Sequence, residues 1–197
     1  MRPVSPVSQP SLFSAGARAP RPGDLAGLLC GPGQIVRFGS GDTARLSVVL
    51  ADPCRAPAVV ATCAAVGIDA QVAVTESGAT AVRTAFRRDL VGLAQAWTTG
   101  AVKTAPAGMQ LDGPVLRVWM LAAGRWDGRG VDLLLDPHAP QTHLALIAAA
   151  TRAGISPARS GRGSALRITG GRRVGRFMEL VGPCPRGVAP DEWPEAG

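Results

Sequence analysis

Apolar and polar positions alternate with a period of two from Ile68 to Thr75, where Ala70, Val72 and Val74 interleave with Asp69, Gln71, Ala73 and Thr75. Side chains that switch faces at every step belong to an extended strand, so this run predicts a β-strand. Comparable runs predict strands at Gln34 to Phe38, Ala44 to Leu50, Ala79 to Phe86, Ile155 to Arg159 and Ala165 to Thr169, and a Gly-rich hairpin over Arg125 to Leu135. Helices are predicted at Asp24 to Gly31, Arg88 to Trp97, Val115 to Ala123 and Arg172 to Val181.

The chain also repeats itself. Leu50-Ala51-Asp52-Pro53 leads into an Ala/Val-rich stretch that stops at Gly67-Ile68, and Leu134-Leu135-Asp136-Pro137 leads into an Ala/Leu-rich stretch that stops at Gly154-Ile155. One local logic serves both: Asp accepts from the first free helix amides, Pro fills the first turn where no donor is needed, and Gly closes the helix in a left-handed turn. Each copy then reads α-β-β-α-β-β-α. The expected fold class is α+β, with pseudo-two-fold repeats over 23–97 and 114–182 and a loose linker over 98–113. Proline-rich composition predicts a disordered arm over 1–22 and a flexible tail over 183–197, whose acidic tip of Asp191, Glu192 and Glu195 is expected in solvent.

Composition narrows the classes. Hydrophobic residues at 46% and charged residues at 18% of 197 positions fit a globular chain and exclude wholesale disorder. No apolar run approaches the roughly 18 residues of a membrane span. Of the 21 basic residues behind the net charge of +7, only Lys103 is lysine. The absence of Tyr and Asn beside 25 Gly and 17 Pro points to a GC-rich genome, so part of the arginine excess reflects codon supply. The remaining basic balance favours anionic partners. Cys30, Cys54, Cys63 and Cys184 form no CxxC pair and follow no secretory signal, which predicts a cytoplasmic chain with reduced thiols. His138 and His143 lack acidic or thiol companions at metal spacing and are expected to be structural. No metal and no cofactor is implied.

Asp24-Leu25-Ala26-Gly27-Leu28-Leu29-Cys30-Gly31-Pro32-Gly33 resembles the signature of the LAGLIDADG homing endonucleases, and Leu116 to Gly124 resembles a worn second copy. The resemblance implies two central helices packed through small residues such as Ala26, Gly27, Ala122 and Gly124, beneath a saddle of antiparallel sheets. Within that superfamily, residues 23–182 are similar to the amino-terminal region of the WhiA family of actinobacterial sporulation regulators. The likeness is clearest from Leu116-Arg117 through Gly124, at Asp136, at Ala153-Gly154-Ile155 and at Phe177 to Gly182. It implies a developmental role in aerial mycelium formation and sporulation. The carboxy-terminal helix-turn-helix of that family is not expected in these 197 residues, so sequence-specific operator binding through a major-groove recognition helix is not expected of them.

The resemblance places the nuclease's metal-binding acids at Pro32 and Ala123, and neither side chain can ligate a divalent ion. Asp127 is better explained by turn chemistry beside Gly128. No nucleophile elbow or phosphate-binding loop occurs, and Gly161-Arg162-Gly163 reads as a hairpin turn. The chain is therefore expected not to be an enzyme. The family's DNA-facing sheet surface corresponds to polar strand faces carrying Arg45, Ser47 and Gln71 in the first copy, and Arg159, Arg167 and Thr169 in the second. Residues 152–176 hold seven arginines and no acid, which adds Arg162, Arg172 and Arg173 to the candidate DNA contacts. Two readings stand: docking of this basic face on double-stranded DNA, or a module that binds a sigma factor or another regulator without touching DNA.

Overall fold

The computed structural model describes residues 14–159 and 164–195. The first thirteen residues of the expected arm and the Gly161-Arg162-Gly163 turn lie outside them. A 3-10 turn, Pro22–Leu25, runs into α1 (Ala26–Cys30), followed by β1 (Gln34–Phe38), β2 (Thr43–Val49), α2 (Ala56–Ala65), β3 (Ala70–Val74), β4 (Thr80–Thr84) and α3 (Val91–Trp97). A short hairpin of β5 (Thr98–Thr99) and β6 (Val102–Lys103) connects the copies. The second copy is α4 (Gly113–Ala123), β7 (Gly124–Trp126), β8 (Gly130–Leu134), α5 (His143–Arg152), β9 (Ala158–Arg159), β10 (Ala165–Thr169) and α6 (Gly171–Val181). Both four-stranded sheets are antiparallel with corresponding orders, β1-β2-β4-β3 and β7-β8-β10-β9.

Alternation explains the sheets. Ile35, Leu46, Val48 and Val82 in the first, and Val131, Leu133, Leu166 and Ile168 in the second, are buried on the helix side. In the first copy the Asp-Pro pair opens a 3-10 turn, Pro53–Arg55, that runs directly into α2: Asp52 accepts from the Cys54 amide at 2.9 Å, and Gly67 takes φ +76°. In the second copy Asp136 accepts from the His138 amide at 2.9 Å, but the helix starts later, after a 3-10 turn at Pro140–Thr142. A helix begun at Pro137 would carry Pro140 inside its first turns, and the turn that Pro140 opens instead delays the start.

The two central helices touch backbone to backbone. A Cβ on Gly27 would lie 2.3 Å from the Val115 carbonyl oxygen, and one on Gly31 would lie 2.9 Å from the Ala123 Cβ. Ala26 and Ala122 are buried as expected, whereas Gly124 is crowded by Met120 of its own helix. Trp119 fills the space beside the crossing and donates its indole N–H to the Leu134 carbonyl at 2.9 Å.

Three segments differ from expectation. The first part of the linker, residues 98–103, is not loose: it folds as the β5-β6 hairpin and buries Lys103. The tail is docked, because Trp193 is 1% exposed, donates to the Gly182 carbonyl at 2.9 Å and lies 5.3 Å beneath the Arg117 guanidinium, while Glu192 pairs with Arg55. Burying one large indole outweighs the local preference of a proline-rich backbone for solvent. The described part of the arm is docked too. The Ala15 amide donates to the Leu180 carbonyl, and Arg18 bridges Asp24 and Asp112, the latter the N-cap of α4. Those two carboxylates hold the Arg18 guanidinium well above its ordinary pKa. All four cysteines are unpaired, and burial pushes the Cys63 thiol up to about 11. No described helix is long and apolar enough to cross a membrane.

Candidate nucleic-acid interface

The outer face of the first sheet carries a polar row that crosses all four strands. Gln34 is level with Ser47, Ser47 with Arg83, and Arg83 with Gln71. Arg45 stands one step along the same face, level with Val36. Alternation from Leu46 and Val48 therefore places Arg45, Ser47 and Gln71 together, as their sequence pattern predicts. Arg83, which completes the row, is the one charged residue of the Ala79 to Phe86 run, a signal that sequence reading passed over. Among the described residues, no carboxylate lies within ion-pair distance of Arg45 or Arg83.

The second sheet differs in charge. Its outer row is Arg125, Asp132, Arg167 and Ala158. Arg167 is not uncompensated: it donates to Asp132 at 2.8 Å and to Asp127 at 2.5 Å. Asp127 is a turn residue, accepting from the Arg129 and Gly130 amides, and it neutralises Arg167 as well. Arg176 pairs with Glu179 at 3.1 Å. Register sets Arg159 level with Leu166 and Ala158 level with Arg167, so the strand position beside Arg167 is Ala158. Arg162 lies outside the described residues. Arg172 and Arg173 are exposed at the start of α6, whose Val174, Phe177 and Leu180 are buried, and Arg173 donates to the Ser156 carbonyl at 3.1 Å. They extend from a helix and do not join the strand row.

The Arg167 guanidinium, with help from two backbone amides, holds the Asp127 carboxyl at about 2, below its ordinary 3.8. A depressed folded-state value means that the pairing stabilises above about pH 4 and is lost as pH falls toward 2. The pair is largely exposed, so screening keeps the effect on stability small. A carboxyl NMR titration is expected to show a midpoint near 2 that returns toward the ordinary value in Arg167→Ala. An ordinary midpoint in the unaltered protein would contradict the pairing.

Protein cations hold the carboxyl ends of both central helices. At α1, the Lys103 ammonium donates to the carbonyls of Gly31 and Gly33, both at 2.7 Å, and to Asp136 at 2.9 Å. Burial lowers the Lys103 pKa, and Asp136 opposes that shift. At α4, Arg55 donates to the Met120 and Gly124 carbonyls at 3.1 and 2.9 Å and faces Asp52 and Glu192, both at 3.4 Å. A positive charge at a helix carboxyl end opposes the helix dipole favourably. His143 is buried with its Nε2 2.8 Å from the Asp136 carbonyl oxygen, and His138 is exposed.

No protein-family model matches the chain, and no curated protein matches it. Among solved structures it is similar to the homing endonuclease I-WcaI bound to its DNA recognition sequence, with a TM-score of 0.56 over 90% of this chain and 89% of that one, at 12% identity. The fold is that of the LAGLIDADG homing endonucleases.

In the LAGLIDADG frame, the positions that the resemblance assigns to metal-binding acids, Pro32 and Ala123, sit beside the cation-held helix ends. They offer no side-chain oxygen, and the nearby carboxylates Asp136 and Asp52 already face Lys103 and Arg55. A divalent ion would meet a fixed positive charge at each end, so these residues do not fit one.

Proposed function

We propose that the protein is a non-cleaving DNA-binding member of the LAGLIDADG superfamily, a WhiA-like regulator of aerial mycelium formation and sporulation in an actinobacterium. The observation that carries the DNA reading is the outward-facing polar row Ser47, Arg83 and Gln71, with Gln34 at its end donating to Asp136 and Arg45 beside it, in which among the described residues neither arginine meets a carboxylate. Loss of cleavage is supported by Pro32 and Ala123, which carry no metal-binding oxygen, and by the cations that stand beside them. Arg45 and Arg83 are the principal contacts in this reading, and Arg167 contributes less because Asp127 and Asp132 neutralise it.

A salt titration with labelled duplex tests this reading. Affinity is expected to fall by orders of magnitude between about 50 and 200 mM salt, and Arg45→Ala with Arg83→Ala to lower it at least about tenfold and reduce the salt slope by about 2. Arg167→Ala should do less. Absence of duplex binding at 50 mM salt would overturn the reading, and magnesium-dependent cutting of a plasmid would overturn its non-cleaving part.

One observation favours a second reading, in which the protein binds a sigma factor or another regulator. The second sheet's outer row mixes Arg125, Asp132 and Arg167 with Asp127, a balanced charge pattern suited to a protein surface. Binding to a purified sigma factor that persists after nuclease treatment, without duplex binding, would decide for it.

A further inference from the structure

Three of the four phenylalanines lie among the described residues, and they are placed unlike one another. Phe177 is fully buried. Phe38 and Phe86 stand in solvent at 66% and 37% exposure, with ring centroids 5.1 Å apart and planes tilted by 43°. A chain this poor in aromatic residues has nevertheless put two rings side by side on its surface, and exposed apolar patches of this kind mark interaction sites.

Local backbone geometry aims Phe86 there. Ser47 is level with Arg83, and Ala44 with Arg87, so β2 advances three residues while its partner advances four. One extra residue in a ladder is a β-bulge, which re-aims the side chain it carries. The Arg45 guanidinium lies 4.6 Å over the Phe86 ring. Phe38, level with Thr43, and Val36, level with Arg45, continue the same face directly beside the polar row. Among the described residues no carboxylate lies within ion-pair distance of Arg45, and Arg87, next to Phe86, pairs with Asp89.

An aromatic pair topped by an arginine that meets no carboxylate among the described residues matches the two faces of a nucleotide. The more exposed Phe38 ring offers a flat face for a base, and the Arg45 guanidinium suits its phosphate. A duplex with all bases stacked presents no base face to such a site. We propose that Phe38, Phe86 and Arg45 form a stacking site for an unpaired nucleobase, so that the protein prefers DNA with a flipped-out, gapped or single-stranded position over an intact duplex. The inference rests on the DNA-binding reading and deepens it by naming the substrate class.

The test uses the whole protein and two labelled duplexes, one fully paired and one identical except for a single unpaired 2-aminopurine. The expected result is at least about tenfold tighter binding to the second, with a change in 2-aminopurine fluorescence. Phe38→Ala with Phe86→Ala should reduce that affinity to the paired-duplex level and abolish the fluorescence change, while binding to paired duplex stays within about threefold. Arg83→Ala should weaken both duplexes alike. Both rings are exposed, so unchanged thermal melting is expected for the Phe variants. Equal binding of the two duplexes by the unaltered protein would overturn this inference and leave the DNA-binding reading intact, whereas binding to neither would remove both. Concentration-dependent self-association that disappears in Phe38→Ala would make the edge a protein interface and overturn the stacking role.

Discussion

Replacing Lys103 by Met should cost about 3–5 kcal/mol of stability, a large part of the total for a domain of this size. Met keeps the length and apolar stem of the side chain but removes all three donors. The carbonyls of Gly31 and Gly33 and the carboxylate of Asp136 would then lose the group on which they converge. Asp136 is 1% exposed and would keep only the Gln34 side-chain amide and the His138 amide as partners. Lys103→Arg should also destabilise, although the chain otherwise uses arginine throughout. Three oxygens about 2.7–2.9 Å from one point suit a compact ammonium and not a planar fork. Chemical denaturation of both variants and of Lys103→Met with Asp136→Asn would measure the coupling. A loss below about 1 kcal/mol in Lys103→Met would show that the cluster holds nothing together.

Gly27→Ala is expected to cost at least about 2 kcal/mol, even though alanine favours a helix over glycine by about 1 kcal/mol. Its new methyl would sit 2.3 Å from the Val115 carbonyl oxygen and 2.7 Å from the Trp119 nitrogen. These are backbone atoms of α4 and cannot turn aside, so the helices would have to separate. Gly175→Ala is the control: on α6 the added methyl meets nothing within 4 Å, and a gain of roughly 0.5–1 kcal/mol is expected. If the two variants melted alike, close approach of the central helices would be refuted.

Much of the fold was legible because its signals are local. Gln34 to Phe38 and Ala165 to Thr169 are strands over the predicted ranges, since alternation is a property of neighbouring residues. Gly67 and Gly154 close their helices because the left-handed turn requires glycine there. What was missed is non-local. The acids that neutralise Arg167 lie 40 and 35 residues away, and the oxygens around Lys103 lie 72, 70 and 33 residues away. Composition described the proline-rich tail correctly as backbone, but it said nothing of the pocket that receives Trp193. The site was half legible for the same reason. The outward direction of Arg45, Ser47 and Gln71 follows from alternation, while their union into one row through Arg83 depends on strand order.

The cations at the two helix ends have different origins in the chain. Arg55 belongs to the first repeat and serves the helix of the second, but Lys103 belongs to neither, since it lies in the hairpin that joins them. A symmetric pair of identical single-repeat chains would have no residue equivalent to it. Cut back to the second repeat, the protein would leave Asp136 without its ammonium, and cut back to the first it would leave the Gly31 and Gly33 carbonyls without theirs, so the joining hairpin ties each half to the other.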